Sequence, residues 1–261
     1  MAQLGKIPAT VITGFLGAGK TTMIRNMLEN ANGKRIALII NEFGDLGVDR
    51  GIINGCGIEG CAEDDVVELA NGCICCTVAD DFLPTIRGLI DRDTPPDHIV
   101  IETSGLALPK PLVKAFNWPE VRSRVTVDGV VAVLDGAALR DGLFAHDHHA
   151  VQAQREADEN LDHESPLEEL FEEQLHCADM VVLNKTDLLT DEERTKVEAD
   201  IRAELKKPSV KIIATEHSRV ENAILLGLGA AAEDDLDSRP SHHDDGLEHD
   251  QDDFESFVVS L

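Results

Sequence analysis

The sequence predicts an α/β fold, a mostly parallel sheet covered by helices on both faces. Three features predict it. Short apolar runs rich in Val and Ile alternate with longer stretches of helical pattern along most of the 261 residues. Those runs are continuously apolar, as in strands buried on both faces. A glycine-rich turn joins the first run directly to the first helical stretch.

The elements follow in order. The first strand is expected at 9–12, ending in the glycine-rich turn, with a helix over 21–29 behind it. Ile36-Ala-Leu-Ile-Ile40 supplies the second strand. A helix over 79–90 leads to a strand at 99–101, and another strand falls at 130–134. Helix 167–175 precedes a strand at 180–183, helix 191–205 precedes a strand at 210–213, and a helix over 220–226 closes the series. Parallel strands need crossovers, and right-handed ones place the helices on both sheet faces. One domain is expected over 1–230, with an acidic, histidine-bearing insertion near 141–173. Residues 231–250 read as a flexible linker, and 251–261 as the start of a truncated C-terminal domain.

Hydrophobic residues make up 43%, but aromatics only 3%, with one Trp and no Tyr, so aliphatic side chains must fill the core. The formal charge is −27. Such a field repels nucleic acid and anionic membranes, and leaves cations as the natural counter-species. The excess is local. Residues 141–173 hold 11 acids and one base, and 231–253 hold 10 acids and one base. Seven of the ten His also lie in these appendages, at 146, 148, 149, 163, 242, 243 and 249. Both segments read as flexible, with at most weak cation binding of their own. No apolar run reaches the ~18 residues needed to span a bilayer. Cysteine is too sparse for a secreted disulfide scaffold, so the chain reads as cytoplasmic with reduced thiols.

Gly14-Phe-Leu-Gly17-Ala18-Gly19-Lys20-Thr21-Thr22 fits the phosphate-loop pattern G-x-x-x-x-G-K-[ST]. Glycines let successive backbone N–H groups turn toward phosphates, and the following helix offers its positive end. Lys20 can reach the β- and γ-phosphates, and the Thr21 hydroxyl is a ligand for Mg²⁺. Asn184-Lys185-Thr186-Asp187 follows the run at 180–183. A carboxylate at that strand end accepts from two guanine donors that adenine lacks, so Asp187 would select GTP over ATP. Asn184 would brace the loop, and the Lys185 stem would lie along the base. Alone, the tetrapeptide favours a strand-to-helix turn with Asp187 as a cap; paired with the phosphate loop upstream, it favours guanine. Glu102-Thr-Ser-Gly105 closes the run at 99–101. Glu102 suits a place beside Mg²⁺ or the attacking water, and Gly105 lets backbone approach the γ-phosphate.

Five of the six cysteines, at 56, 61, 73, 75 and 76, fall within 21 residues. In an extended chain Cys73 and Cys75 face one way and Cys76 the other. A two-thiolate claw completed by outside ligands is the simplest site, with Glu42, Asp45 and Asp49 as oxygen donors. Thiolates suit Zn²⁺, Co²⁺ or Cu(I). The spacing is not that of a zinc ribbon, nor of a C-x-x-C dithiol. Cys177, standing alone, reads as a core residue.

Together, the segments 14–22, 41–49, 68–77, 102–105 and 184–187 resemble the CobW family of metal-linked GTPases. The resemblance implies a P-loop GTPase domain, slow GTP hydrolysis, and a divalent transition metal bound at Cys73, Cys75 and Cys76 when Mg·GTP is present. The cysteine-rich stretch after Gly55 and the segment 164–171 are similar to the cobalamin-linked subgroup. That favours Co²⁺ as cargo and a recipient such as a cobalt chelatase. A zinc chaperone of the same family is the alternative. A passive metal buffer is the third reading, but a buffer needs neither Asp187 nor Glu102.

Overall fold

The computed structural model describes residues 5–40, 66–68, 82–157 and 166–241. Among them are seven strands: β1 (Ile7–Thr13), β2 (Ile36–Ile40), β3 (Val66–Glu68), β4 (His98–Glu102), β5 (Val125–Asp135), β6 (Met180–Asn184) and β7 (Lys211–Ala214). They form one sheet in the order β3-β2-β4-β1-β5-β6-β7, with every pair parallel. The helices are α1 (Lys20–Glu29), α2 (Leu83–Ile90), α3 (Pro109–Ala115), α4 (Pro119–Arg122), α5 (Gly136–Arg140), α6 (His148–Ala157), α7 (Leu167–Cys177), α8 (Asp191–Glu204) and α9 (Asn222–Leu225).

The sheet is the predicted one, and its two faces are filled by the two parities of each strand. Val11, Ile39 and Ile101 pack against Ile86 and Leu89 of α2 and Leu112 of α3. Ile12, Leu38 and Val100 pack on the other face, against Met23, Ile24 and Met27 of α1. Ala132, Leu134, Val181 and Leu183 meet Leu170, Phe171 and Leu175 of α7 and Val197 and Ile201 of α8. A capping box starts α8: Thr190 Oγ1 accepts from Glu193 N at 3.3 Å, and Glu193 Oε2 accepts from Thr190 N at 2.8 Å.

Two strands depart from expectation. β3 is only three residues long, too short to carry a pattern. β5 spans 11 residues, starting well before 130, because polar Thr126 and Asp128 interrupt its apolar run. Both polar groups are satisfied by chain from far downstream. Asp128 accepts from the backbone N–H groups of Gly227, Leu228 and Gly229 at 2.6, 3.0 and 2.9 Å. Thr126 donates to Glu233 Oε1 at 2.6 Å.

The two acidic segments also need correcting where they are described. The insertion contains α6 and α7, whose Val151, Leu170 and Phe171 are buried while Glu156 and Glu168 face outward. α7 is the helix expected over 167–175, whereas counting charge missed the buried side of α6. The linker reading of 231–250 fails for its first part. Residues 231–241 form a strap across the strand starts. Buried Glu233 also accepts from Val127 N at 2.9 Å, and its carbonyl accepts from Asn117, next to Trp118, at 2.5 Å. Arg239, 1% exposed, pairs with Asp179 at 2.7 Å and donates to the Cys177 carbonyl. Ser241 donates to Glu173 of α7 at 2.8 Å. Residues 242–261 lie outside the described residues. Among the described residues, no helix is long and apolar enough to cross a membrane.

Candidate nucleotide-binding site

Parallel register gathers the strand ends at one edge. Ile12 stands opposite Glu102, and Asp135 opposite Asn184. The loop from Gly14 through Gly17, Ala18 and Gly19 therefore emerges beside the loop that follows Glu102. It runs straight into α1, the order of parts that cradles phosphate at a helix N-terminus.

Lys20 is 6% exposed, and among the described residues its Nζ donates to the Phe15 carbonyl at a long 3.4 Å. An ammonium has three donors, so most of its capacity is open to a ligand. Thr21 Oγ1 donates to Oε1 of buried Glu102 at 3.0 Å. A hydroxyl and a carboxylate so close are hard oxygen donors that fit Mg²⁺. Thr22 is exposed on the first turn of α1.

Space dictates several glycines here, among them Gly14, where a Cβ would stand 2.1 Å from the Val133 carbonyl oxygen. Gly19 has φ +110°, and a Cβ there would stand 2.4 Å from Asn184 Nδ2 and 2.5 Å from Ser218 Oγ. A Cβ on Gly105 would stand 2.8 Å from Leu16 N, so the chain after Glu102 presses directly on the phosphate loop. That approach is held from behind by Gln174 of α7, whose Nε2 donates to the carbonyls of Gly105 at 3.0 Å and Ala107 at 3.3 Å.

Asn184 is the hub of the opposite wall. Its Nδ2 donates to the Ala18 carbonyl and to Ser218 Oγ, both at 2.8 Å, and its Oδ1 accepts from Ser218 N at 2.8 Å. Ser218 Oγ in turn donates to the Gly19 carbonyl at 2.9 Å. One buried amide thus ties the phosphate loop to the loop after β7. Lys185, at φ +61°, turns back so that its Nζ pairs with Asp135 at 2.5 Å. Asp187 lies in the short turn Thr186–Leu188, is exposed, and has no hydrogen-bond or ion-pair partner among the described residues. It is not capping a helix, since Thr190 caps α8.

The candidate metal ligands Glu42, Cys73, Cys75 and Cys76 lie outside the described residues, as do Asp45, Asp49, Cys56 and Cys61. Among the described residues no group of three His, Cys, Asp or Glu could hold a metal. Cys177 is buried, and burial pushes its thiol up to about 11, so it stays protonated and inert.

Sequence reasoning missed four site residues. Asp135 carried a signal, an acid one residue past an expected strand. Ser218 follows the last strand and was open to the same inference. Gln154 and Gln174 had none, since a glutamine on a helix is ordinary.

A glycine-rich loop between a central buried strand and a helix, flanked by a buried carboxylate on the next strand, defines a P-loop nucleotide-binding domain. The family is narrower: residues 8–212 match the CobW/HypB/UreG nucleotide-binding domain, and the chain belongs to that family. It is 61% identical over 265 residues to a protein named zinc chaperone CobW of a Sinorhizobium species, covering 100% of this chain and 74% of that one. It is 54% identical to a zinc chaperone CobW of Pseudomonas aeruginosa, covering 94% and 66%. It is 37% identical to the zinc-regulated GTPase metalloprotein activator 1 of Schizosaccharomyces pombe, over 85% of this chain and 48% of that one. The chain thus spans about two thirds to three quarters of the first two relatives and about half of the third. Among solved structures, the Zn(II)-bound YjiA GTPase from E. coli shares the fold, with TM-score 0.55 and 23% identity over 86% of this chain and 62% of that one.

Proposed function

We propose that this chain is the GTPase part of a cytoplasmic metallochaperone. It binds Mg·GTP at the phosphate loop, carries a divalent transition metal on Cys73, Cys75 and Cys76 with Glu42, and hydrolyses GTP as it passes the metal to a recipient protein. The observation that carries the nucleotide half is the Thr21–Glu102 contact at 3.0 Å beside Lys20. Mg²⁺, when bound, supplies neutralisation of phosphate charge. The chain's own groups do the rest. Lys20 and the N-terminal amides of α1 hold the phosphates, Glu102 orients the Thr21 hydroxyl, and exposed Asp187 is free to take guanine.

Zn²⁺ is the favoured cargo. The relatives are named zinc chaperones, and thiolate sites prefer Zn²⁺ to Co²⁺ by intrinsic affinity. Co²⁺ delivery to a recipient such as a cobalt chelatase rests on the likeness of 164–171 to the cobalamin-linked subgroup.

The test is metal titration of the protein with Mg·GDP and with Mg and a non-hydrolysable GTP analogue, using Zn²⁺ and Co²⁺ separately. Tighter Zn²⁺ binding in the GTP state, lost in Cys73→Ala and Cys75→Ala, is expected. Equal affinity in the two nucleotide states would remove the coupling between hydrolysis and release.

A further inference from the structure

Helix α6 of the acidic insertion sends a polar side chain into the nucleotide edge. Gln154 of α6 is 7% exposed. Its Nε2 donates to Ser104 Oγ at 3.2 Å, which anchors the amide to the loop after Glu102. Its Oε1 is buried and has no hydrogen-bond partner among the described residues. That oxygen lies 3.1 Å from the point where a Cβ on Gly105 would stand, and Leu16 N lies 2.8 Å from the same point. The free acceptor is therefore aimed at the seam between the phosphate loop and Gly105, on the side where the terminal phosphate of a bound nucleotide is expected.

Buried amide oxygens are almost always paired, by protein or by water. A phosphate cannot pair with this one, because both are acceptors. A water can, by donating to it. GTP hydrolysis needs such a water, held by an acceptor that orients it for in-line attack. Among the described residues, the position directly after Gly105 brings no polar side chain: Leu106 is 0% exposed within the apolar cluster that includes Phe15 and Leu170.

We propose that Gln154 orients the attacking water in GTP hydrolysis, an inference that rests on the GTPase reading above. The water oxygen forms a bond to the γ-phosphorus, and the bond from phosphorus to the β–γ bridging oxygen breaks. The bridging oxygen leaves on GDP with the electron pair, and the proton of the water ends on the released phosphate. Gln154 gains and loses no proton. It accepts one hydrogen of the water and fixes its direction, while Ser104 fixes Gln154. The insertion thereby supplies a catalytic residue.

The test is Gln154→Met, close in length but without the amide, measured in single turnover with Mg·GTP. Hydrolysis is expected to fall about 100-fold, with affinities for GDP and a GTP analogue within about twofold of wild type. A second readout is the complex of Mg·GDP with aluminium fluoride, which mimics the transferring phosphoryl group. Wild type is expected to form it and Gln154→Met is not. If Gln154→Met does not fold, Gln154→Asn, which shortens the reach and keeps the amide, is read by the same two measurements and the same thresholds. Hydrolysis within threefold of wild type overturns the proposal. So does a loss of hydrolysis matched by an equal loss of GDP affinity, which assigns Gln154 a structural role. Absence of turnover in wild type overturns the GTPase reading itself, and this inference with it.

Discussion

Replacing Asn184 with Ala should cost this fold a large share of its stability. The side chain makes three hydrogen bonds at 2.8 Å, two donated and one accepted. Ser218 Oγ keeps a partner in the Gly19 carbonyl, but the Ala18 carbonyl and Ser218 N lose theirs. Ala18 is 1% exposed and Ser218 is 0% exposed, so water does not readily replace the lost bonds. Each such buried orphan costs about 1–3 kcal/mol, which gives about 2–6 kcal/mol for the pair. Domains of this size are held by about 5–15 kcal/mol. The assay is urea unfolding of wild type, Asn184→Ala, Ser218→Ala and the double variant. The midpoint should fall with an unchanged slope. The two sites should couple by more than about 0.5 kcal/mol, as contacting residues do. Nucleotide affinity should fall as well, because the Ala18–Gly19 turn loses its brace. An Asn184→Ala midpoint matching wild type, or strict additivity with Ser218→Ala, would refute the hub.

Three further outcomes are expected. Asp187→Ala should weaken GTP by about 100-fold or more and leave ATP affinity and stability unchanged, since losing paired donors to a charged acceptor costs several kcal/mol; nucleotide titration decides, and unchanged GTP affinity would exclude Asp187 from base reading. His98, hydrogen-bonded to Thr10 at 2.8 Å, is pushed down to about 4 by burial, with Asp128 partly opposing; the unfolded chain takes up this proton below about 6.5 and the folded chain does not. Its contribution is therefore complete above pH 6.5 and lost as pH falls toward 4, by about 3 kcal/mol, and a His98→Gln variant with the same pH-dependent urea midpoint as wild type would contradict it. Arg239→Ala should destabilise by about 3 kcal/mol by stranding Asp179 and the Cys177 carbonyl. That predicts a melting point lower by about 6–12 °C with nucleotide affinity unaltered; a shift under about 2 °C would mean the strap is not anchored there.

What was legible in the sequence was whatever is local. The run into Gly14, the loop and α1 are contiguous, so pattern and motif coincide. Glu102 and Asp187 were legible because strand ends in a parallel sheet share one edge. What was not legible depends on distant partners. Ser218 meets Asn184 across 34 positions, Gln154 meets Ser104 across 50, and Gln174 meets Gly105 across 69. The early half of β5 was missed for the same reason, since its polar residues are satisfied only by 227–233. Charge counting misjudged Glu233 and Arg239, because composition records how many charges a segment has and not whether the core supplies their partners.

The Asn117–Glu233 contact decides what light can report about this molecule. With no Tyr and one Trp, its near-ultraviolet absorbance and emission come essentially from the indole of Trp118. That ring is half-buried against the α2–α3 layer, next to the residue that grips the strap. The strap seats on the starts of the strands, while the nucleotide loops follow their ends. Intrinsic emission is therefore a gauge of strap docking and nearly blind to the nucleotide. A titration with GTP watched at the indole band should stay flat even when binding is tight, and a fluorophore carried on the nucleotide is the signal to follow.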